Sequence, residues 1–299
     1  MEKVIEVIDL SKHFRGINAV DGISFSVEKN GIYGLLGRNG AGKSTLLQLL
    51  TGQVFKTSGQ VRIMGQDPVE NAAVMSNIAF IKEAERYPEN IISKVSDVLK
   101  TGELLFENWD SEFATRLVAE FRVPLKRQMR KLSRGQVSAV GVIVGLASRA
   151  PITIFDEPYI GMDPVARKLF YDRLLADYSE YPRTVLLSTH LIDEAADLME
   201  HVLVMEEGRI ILDAKTDDLR GTAMSVEGLS ATVKDFTKDL DVLSSTVIGS
   251  FSRTNVSGLS ETQKRTAADL GLNIIPLSLQ ELIISKTQLD HALEMEATK

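Results

Sequence analysis

Gly37-Arg38-Asn39-Gly40-Ala41-Gly42-Lys43-Ser44-Thr45 decides how this chain is read. The stretch fits G-x-x-x-x-G-K-[ST], the phosphate-cradling P-loop or Walker A pattern. Before it, Gly31-Ile32-Tyr33-Gly34-Leu35-Leu36 reads as a short buried strand; after it, Ser44 to Leu50 reads as a helix. Strand, glycine loop and helix in that order is the setting the pattern requires. Lacking a Cβ, glycine lets the backbone turn tightly and aim successive N–H groups at phosphate oxygens. The helix start adds unpaired donors and the positive end of its dipole. Lys43 then reaches the β- and γ-phosphates, and the Ser44 hydroxyl ligates Mg2+. The competing reading is a chance glycine turn ahead of a helix, and the strand-loop-helix context argues against it.

Working outward, residues 3–9 and 22–27 predict short strands ahead of the loop, and Gln60 to Gly65 and Ile78 to Glu83 predict two more after it. From about 84 to 149 helical patterns take over; Phe113, Leu117, Val118 and Phe121 share one face of a helix over 109–121. Pro151 to Phe155 is an apolar strand ending on two carboxylates, and Pro164 suits the first position of a helix running to Tyr181. Arg183 to Ser188 predicts a strand and His190 to Glu200 a helix; Val202–Met205 and Arg209–Leu212 flank Glu207-Gly208 as a hairpin. Strands alternating with helices imply an α/β core with a mainly parallel sheet. Residues 84–149 read as an inserted helical subdomain within a first domain of 1–221. After Arg220-Gly221 the composition shifts toward Ser, Thr, Asp and Lys. Residues 222–299 read as a small α+β appendage, with helices over 260–270 and 278–287 and a strand over 241–251.

The totals narrow the function classes. A length of 299 residues suggests two domains, and 44% hydrophobic with 25% charged residues is ordinary for a globular protein. No run of 18 apolar residues exists to span a bilayer, and the N-terminus lacks a signal peptide's basic-then-apolar layout. The absence of cysteine excludes disulfides and thiolate zinc sites and agrees with a cytosolic home. A net charge of −7 gives no electrostatic reason to expect nucleic acid as a partner.

Asp156 and Glu157 end the strand at Phe155, the place where ligands bind in open α/β sheets. Alone, such a pair is an ordinary solvated turn. With a P-loop upstream, Asp156 is placed to hold Mg2+ and Glu157 to polarise an attacking water. Leu132-Ser133-Arg134-Gly135-Gln136 follows a basic run and opens an apolar helix. Ser133 reads as its N-cap, and the same helix start reads as an anion site.

In the order Gly37–Thr45, Leu132–Gln136, Ile152–Glu157, Gly161-Met162-Asp163-Pro164 and Ser188-Thr189-His190, the chain resembles the nucleotide-binding subunit of an ABC transporter over residues 3–220. The resemblance implies a P-loop ATPase with ATP and Mg2+ as ligands. By position it implies that Phe14 stacks on adenine with Val20 beside it, although a lone Phe is also a common core residue. It places Glu83 where a glutamine usually ligates Mg2+, with a surface carboxylate as the alternative. His190 matches the switch histidine at the γ-phosphate, and Asp163 the loop that crosses the dimer interface, as well as an N-cap before Pro164. Arg134 stands where glycine is more usual, leaving Ser133 and Gly135 in place.

The resemblance further implies two copies, identical or related, paired head to tail. Each ATP then lies between one P-loop and the other copy's Ser133 and Gly135. Separate transmembrane permease chains would receive the motion through the helical insert, with Tyr87, Phe106 and Trp109 as candidate contacts or plain core. That puts the subunit on the cytoplasmic face of the membrane. Asn108-Trp109-Asp110 together with the motifs above resembles a bacterial subgroup serving exporters of antibiotics, antimicrobial peptides or toxins. The alternatives are a soluble ABC ATPase of translation or repair and a regulatory ATP-binding module. One P-loop with one signature speaks against the tandem translation type, and intact Lys43, Glu157 and His190 speak against a degenerate module.

Overall fold

The chain opens as a hairpin in which every second or third residue turns inward. Strands β1 (Lys3–Phe14) and β2 (Ile17–Glu28) bury Ile5, Val7, Leu10, Val20, Phe25 and Val27. Both run longer than the sequence predicts, because they reverse tightly at Arg15-Gly16, where Gly16 takes a φ of 78°. The computed structural model describes residues 2–82 and 94–285. β3 (Ile32–Leu36) leads into the glycine loop, and α1 (Lys43–Leu50) leaves it. β4 (Ser58–Ile63) returns to pair with β1, closing a three-stranded antiparallel sheet in the order β2-β1-β4.

A one-turn helix, α2 (Ala72–Met75), precedes β5 (Ile78–Ile81). The helical stretch follows as α3 (Val95–Leu105), α4 (Ser111–Glu120) and α5 (Arg134–Ser148). Then come β6 (Ile152–Asp156), α6 (Pro164–Glu180), β7 (Thr184–Thr189), α7 (Ile192–Ala195), β8 (His201–Glu206) and β9 (Arg209–Lys215). The six-stranded sheet runs β5-β6-β7-β3-β8-β9, with β5 through β8 parallel. Strands β3, β6 and β7 are buried at every position, as expected of apolar runs covered on both faces. Each fully buried Leu, Ile or Phe there contributes ~1.5–3 kcal/mol.

The predicted helix over 190–200 is cut to the single turn of α7. The backbone N–H of Glu200 already bonds to Ile32 O of β3 (2.9 Å), so the chain must straighten into the sheet before it can coil further. Gly34 permits this close return, since a Cβ there would sit 2.2 Å from Met199 Sδ.

Charged side chains bind the helical stretch to the core. Asp110 caps α4 by accepting from Phe113 N (2.7 Å) and pairs with Arg149 (2.9 Å). Arg149 also reaches Asp177 of α6 (3.1 Å), which pairs with the buried Arg183 (2.7 Å). Gly102 lies so close under the Trp109 ring that a Cβ would meet it at 2.5 Å, so Trp109 packs within this helical stretch.

The chain divides into two compact units after Asp213, earlier than the boundary at 221 read from composition. The second unit begins in the last residues of β9 and a one-turn α8 (Thr216–Leu219). It continues as β10 (Ala223–Leu229), α9 (Ser230–Thr237), β11 (Val242–Ile248), β12 (Phe251–Ser257), α10 (Glu261–Asp269) and β13 (Asn273–Pro276). Its antiparallel sheet, in the order β11-β12-β10-β13, is the split β-α-β-β-α-β arrangement of ferredoxin-like domains. Val226, Val233, Val256, Ala267 and Leu272 form its core. The single strand predicted over 241–251 is instead β11 plus a turn, with Gly249 at φ 61° starting the reversal into β12. Among the described residues, no helix is long and apolar enough to cross a membrane.

Candidate functional site

Three neighbouring parallel strands end together. In the sheet, β7 lies between β6 and β3, with Asp156 opposite Ser188 and Leu36 opposite Thr189. This register brings the glycine loop after β3, the carboxylates after β6 and His190 after β7 to one edge, although the loop is more than a hundred residues from the other two in the chain. Carboxyl ends of parallel strands are where such folds bind ligands.

The glycine loop is built as the sequence predicts. Gly37 and Gly42 hold φ values of 149° and 104°, and a Cβ on either would fall within 2.2 Å of a backbone carbonyl, that of Met205 or Ala19. Glycine is required there for space as well as for conformation. Arg38, Asn39 and Gly40 form the exposed crest, while Ala41 is buried beneath it. Lys43 is only 5% exposed, and its ammonium donates to Gly37 O (2.7 Å) and Arg38 O (3.2 Å). It also lies 3.5 Å from Glu157 Oε1. Thr45 follows on the first turn of α1.

Asp156 is buried and accepts hydrogen bonds from Ser44 and from Ser188 Oγ (2.9 Å). Burial pushes its carboxyl above the usual carboxylate range, against the opposing pull of those two hydroxyls. Ser44 and Asp156 are hard oxygen donors already in contact, the donor chemistry Mg2+ takes from a protein when phosphates complete its shell. Glu83 and Tyr87 lie outside the described residues. Among those described, no group of three or more His, Cys, Asp or Glu side chains could hold a metal by itself.

Glu157 sits at φ 49°, a left-handed conformation that a non-glycine residue rarely adopts. Its N–H bonds to Ser188 O (3.2 Å), so the backbone leaves β6 in a sharp turn that aims the side chain back at the loop. Oε2 receives His190 Nδ1 at 2.5 Å and the Tyr159 hydroxyl at 2.9 Å. The His190 ring remains 41% exposed, so it can reach a ligand over the loop. Tyr159 is the residue that pattern reading passed over. It stands two places after Glu157 as an aromatic in an apolar position, and only its hydroxyl, buried among Glu157, Thr189 and His190, sets it apart.

The remaining predicted residues lie apart from this cluster. Ser133 caps α5 in a reciprocal box with Gln136, each side chain accepting from the other's backbone N–H (3.2 Å). It is exposed. A Cβ on Gly135 would fall 2.3 Å from Gly161 O, so the signature helix is seated against the loop after Glu157. Ser138 Oγ donates to Ile160 O (2.6 Å) in the same joint. Asp163 caps α6 by accepting from Ala166 N (2.8 Å). Phe14 is 47% exposed at the end of β1, with the Lys12 ammonium 4.8 Å from its ring centre. Val20, expected beside Phe14, is buried. It has no exposed area: the register shift between the Leu10–Ile23 and Lys12–Val20 pairs, where Gly22 takes a φ of 61°, turns it into the same core as Leu10 and Phe25.

A nucleotide-gripping loop, a metal-competent Ser–Asp pair and a carboxylate–histidine pair on one sheet edge define a P-loop nucleoside-triphosphatase. The comparisons with known proteins narrow the class. The family model described as ABC transporter matches residues 20–160. The chain is 31% identical over 229 residues to a zinc uptake system ATP-binding protein of Listeria innocua, covering 73% of this chain and 88% of that one. It is 27% identical over 221 residues to the bacitracin transport ATP-binding protein of Bacillus licheniformis, covering 74% and 72%. A solved structure described as the ATP-binding subunit of an ABC transporter superposes with a TM-score of 0.64 at 25% identity, over 72% of this chain and 91% of that one. The chain belongs to the ABC transporter family as an ATP-binding, ATP-hydrolysing cassette.

Proposed function

We propose that the first unit of this chain pairs with a second cassette, identical or related, and hydrolyses ATP between the two to drive export of an antibiotic or antimicrobial peptide through separate membrane subunits. One observation carries the pairing. Ser133 and Gly135 are rigidly presented at an exposed helix start, outside the hydrogen-bonded cluster of Lys43, Glu157 and His190. A helix N-terminus turns its backbone donors and the positive end of its dipole toward an anion, and a head-to-tail partner supplies a phosphate. Within one protomer, the loop N–H groups and Lys43 bind the β- and γ-phosphates, Phe14 offers its face to the base, and Asp163 meets the partner. Ser44 and Asp156 would hold Mg2+, which would supply positive charge to offset that of the phosphates; the family resemblance adds Glu83. Glu157 takes the proton of the attacking water, and His190 follows the γ-phosphate. Loss of that phosphate reopens the pair, a two-state element biased by ligand.

Export is supported by kinship with the bacitracin transport protein. Uptake is the second reading, supported by the relative named for zinc uptake. Under either reading the chain works on the cytoplasmic face of a membrane, held there by its permease. The second unit, with its own core, is assigned an accessory role. The deciding experiment is light scattering of Glu157→Gln with Mg-ATP, together with affinity purification from membranes. An ATP-dependent dimer and a co-purifying multi-span chain are expected. A monomer at saturating ATP would overturn the pairing, and recovery without any membrane protein would overturn the transport role.

A further inference from the structure

The Tyr159 hydroxyl is 2.9 Å from Glu157 Oε2, 2.7 Å from Thr189 Oγ1 and 3.1 Å from His190 N, and the residue is 3% exposed. Counting protons assigns these three bonds; His190 Nδ1 lies further off, at 3.3 Å. A carboxylate only accepts, so Tyr159 gives Glu157 its one proton. A backbone N–H only donates, so His190 N fills one lone pair of the hydroxyl. The other lone pair is left for Thr189, whose own oxygen accepts from Leu191 N (2.9 Å) and whose proton is free to donate. The chain therefore runs in one direction, from Leu191 N–H through Thr189 and Tyr159 to Glu157. Burial raises the tyrosine's proton affinity, so the donor persists across working pH. The second contact on Oε2 is His190 Nδ1, which by the same rule carries a proton.

We propose that Tyr159 is a positioning residue for hydrolysis: it pins Oε2 of Glu157, and through the backbone of His190 it fixes the spacing between the carboxylate and the histidine. This rests on the reading of Glu157 as the base. With Oε2 occupied by Tyr159 and His190, the oxygen left to act is Oε1, which in this structure faces Lys43 at 3.5 Å. When phosphates draw the ammonium away, Oε1 is freed toward the water. Water oxygen then bonds to the γ-phosphorus, the bond from that phosphorus to the bridging oxygen breaks with its electrons staying on ADP, and the water's proton passes to Oε1. The hydroxyl, bonded to Oε2, holds the Glu157 carboxylate in one orientation.

Tyr159→Phe removes one oxygen and keeps the ring. Its kcat for ATP should fall about tenfold to a hundredfold, the worth of a hydrogen bond to a charged group, while KM and ATP affinity stay at the parent values. Thr189→Val, which keeps Tyr159 but removes the donor that orients it, should lower kcat less and add nothing on top of Tyr159→Phe, as expected for members of one chain. A parental kcat in Tyr159→Phe would overturn the inference, as would additive losses in the double variant. Glu157→Gln separates the two levels. If it is inactive while Tyr159→Phe is parental, the base stands and the positioning role falls. If Glu157→Gln itself turns over at the parent rate, the base and the role built on it fall together.

Discussion

Glu157→Gln tests the electrostatics of the site as well as its chemistry. Lys43 and Glu157 face each other at 3.5 Å with side chains only 6% and 11% exposed. At an effective dielectric of about 20, two unit charges at that distance attract by about 5 kcal/mol, which is a ceiling. Desolvation of both ions cancels much of it. Glutamine removes the charge but keeps an acceptor, and Lys43 retains its bonds to Gly37 O and Arg38 O. The net loss of stability without nucleotide should be about 1–3 kcal/mol, a fall in Tm of roughly 2–10 °C for a unit of this size. Nucleotide affinity should move the other way. The variant lacks a negative charge beside the phosphates and no longer holds the ammonium away from them, so ATP should bind about tenfold tighter, ~1.4 kcal/mol. Turnover should fall by about 10²–10⁴, the usual worth of a general base. Calorimetric titration with ATP, thermal melting without it and phosphate release measure the three quantities. Unchanged affinity and unchanged Tm would refute the tether between Lys43 and Glu157. Parental phosphate release would refute the base.

Lys43→Ala should weaken ATP binding by more than tenfold, about 1.4 kcal/mol or more, because the phosphates lose a buried cation; normal affinity by calorimetry would contradict the loop assignment. Ser133→Arg should leave ATP binding to the monomer intact and abolish both the ATP-induced dimer and turnover; a dimer seen by light scattering would refute the shared site. Asp156 carries the pH dependence. Because burial raises its carboxyl, the nucleotide-free protein should gain stability as pH falls through that raised value, the reverse of an ion-paired carboxylate. Mg2+-dependent ATP affinity should be complete above the raised value and be lost as pH falls through it, since protons compete for the ligand. Asp156→Asn should flatten both profiles in melting and titration series, and profiles like the parent's would assign the effect elsewhere.

The sequence by itself determined what is local. A P-loop is one contiguous turn whose glycines are demanded by backbone space, so Gly37 and Gly42 could be read without coordinates. Apolar runs such as Ile152–Phe155 announced buried strands, and Ser133 and Asp163 announced helix starts. The second unit was legible only as α+β, because polar residues run through its strands. Serine and threonine on β11 and β12 hide the alternation that would mark a hairpin. Tertiary structure alone decided which distant groups touch. The meeting of Lys43, Glu157, Tyr159, Thr189 and His190 depends on β6, β7 and β3 lying side by side in one register. A shift of one residue would turn every side chain on β7 to the other face, and no local pattern encodes that choice. Val20 shows the same limit from the other side. The family resemblance sets it beside the adenine, and the pairing of β2 with β1 sends it into the core.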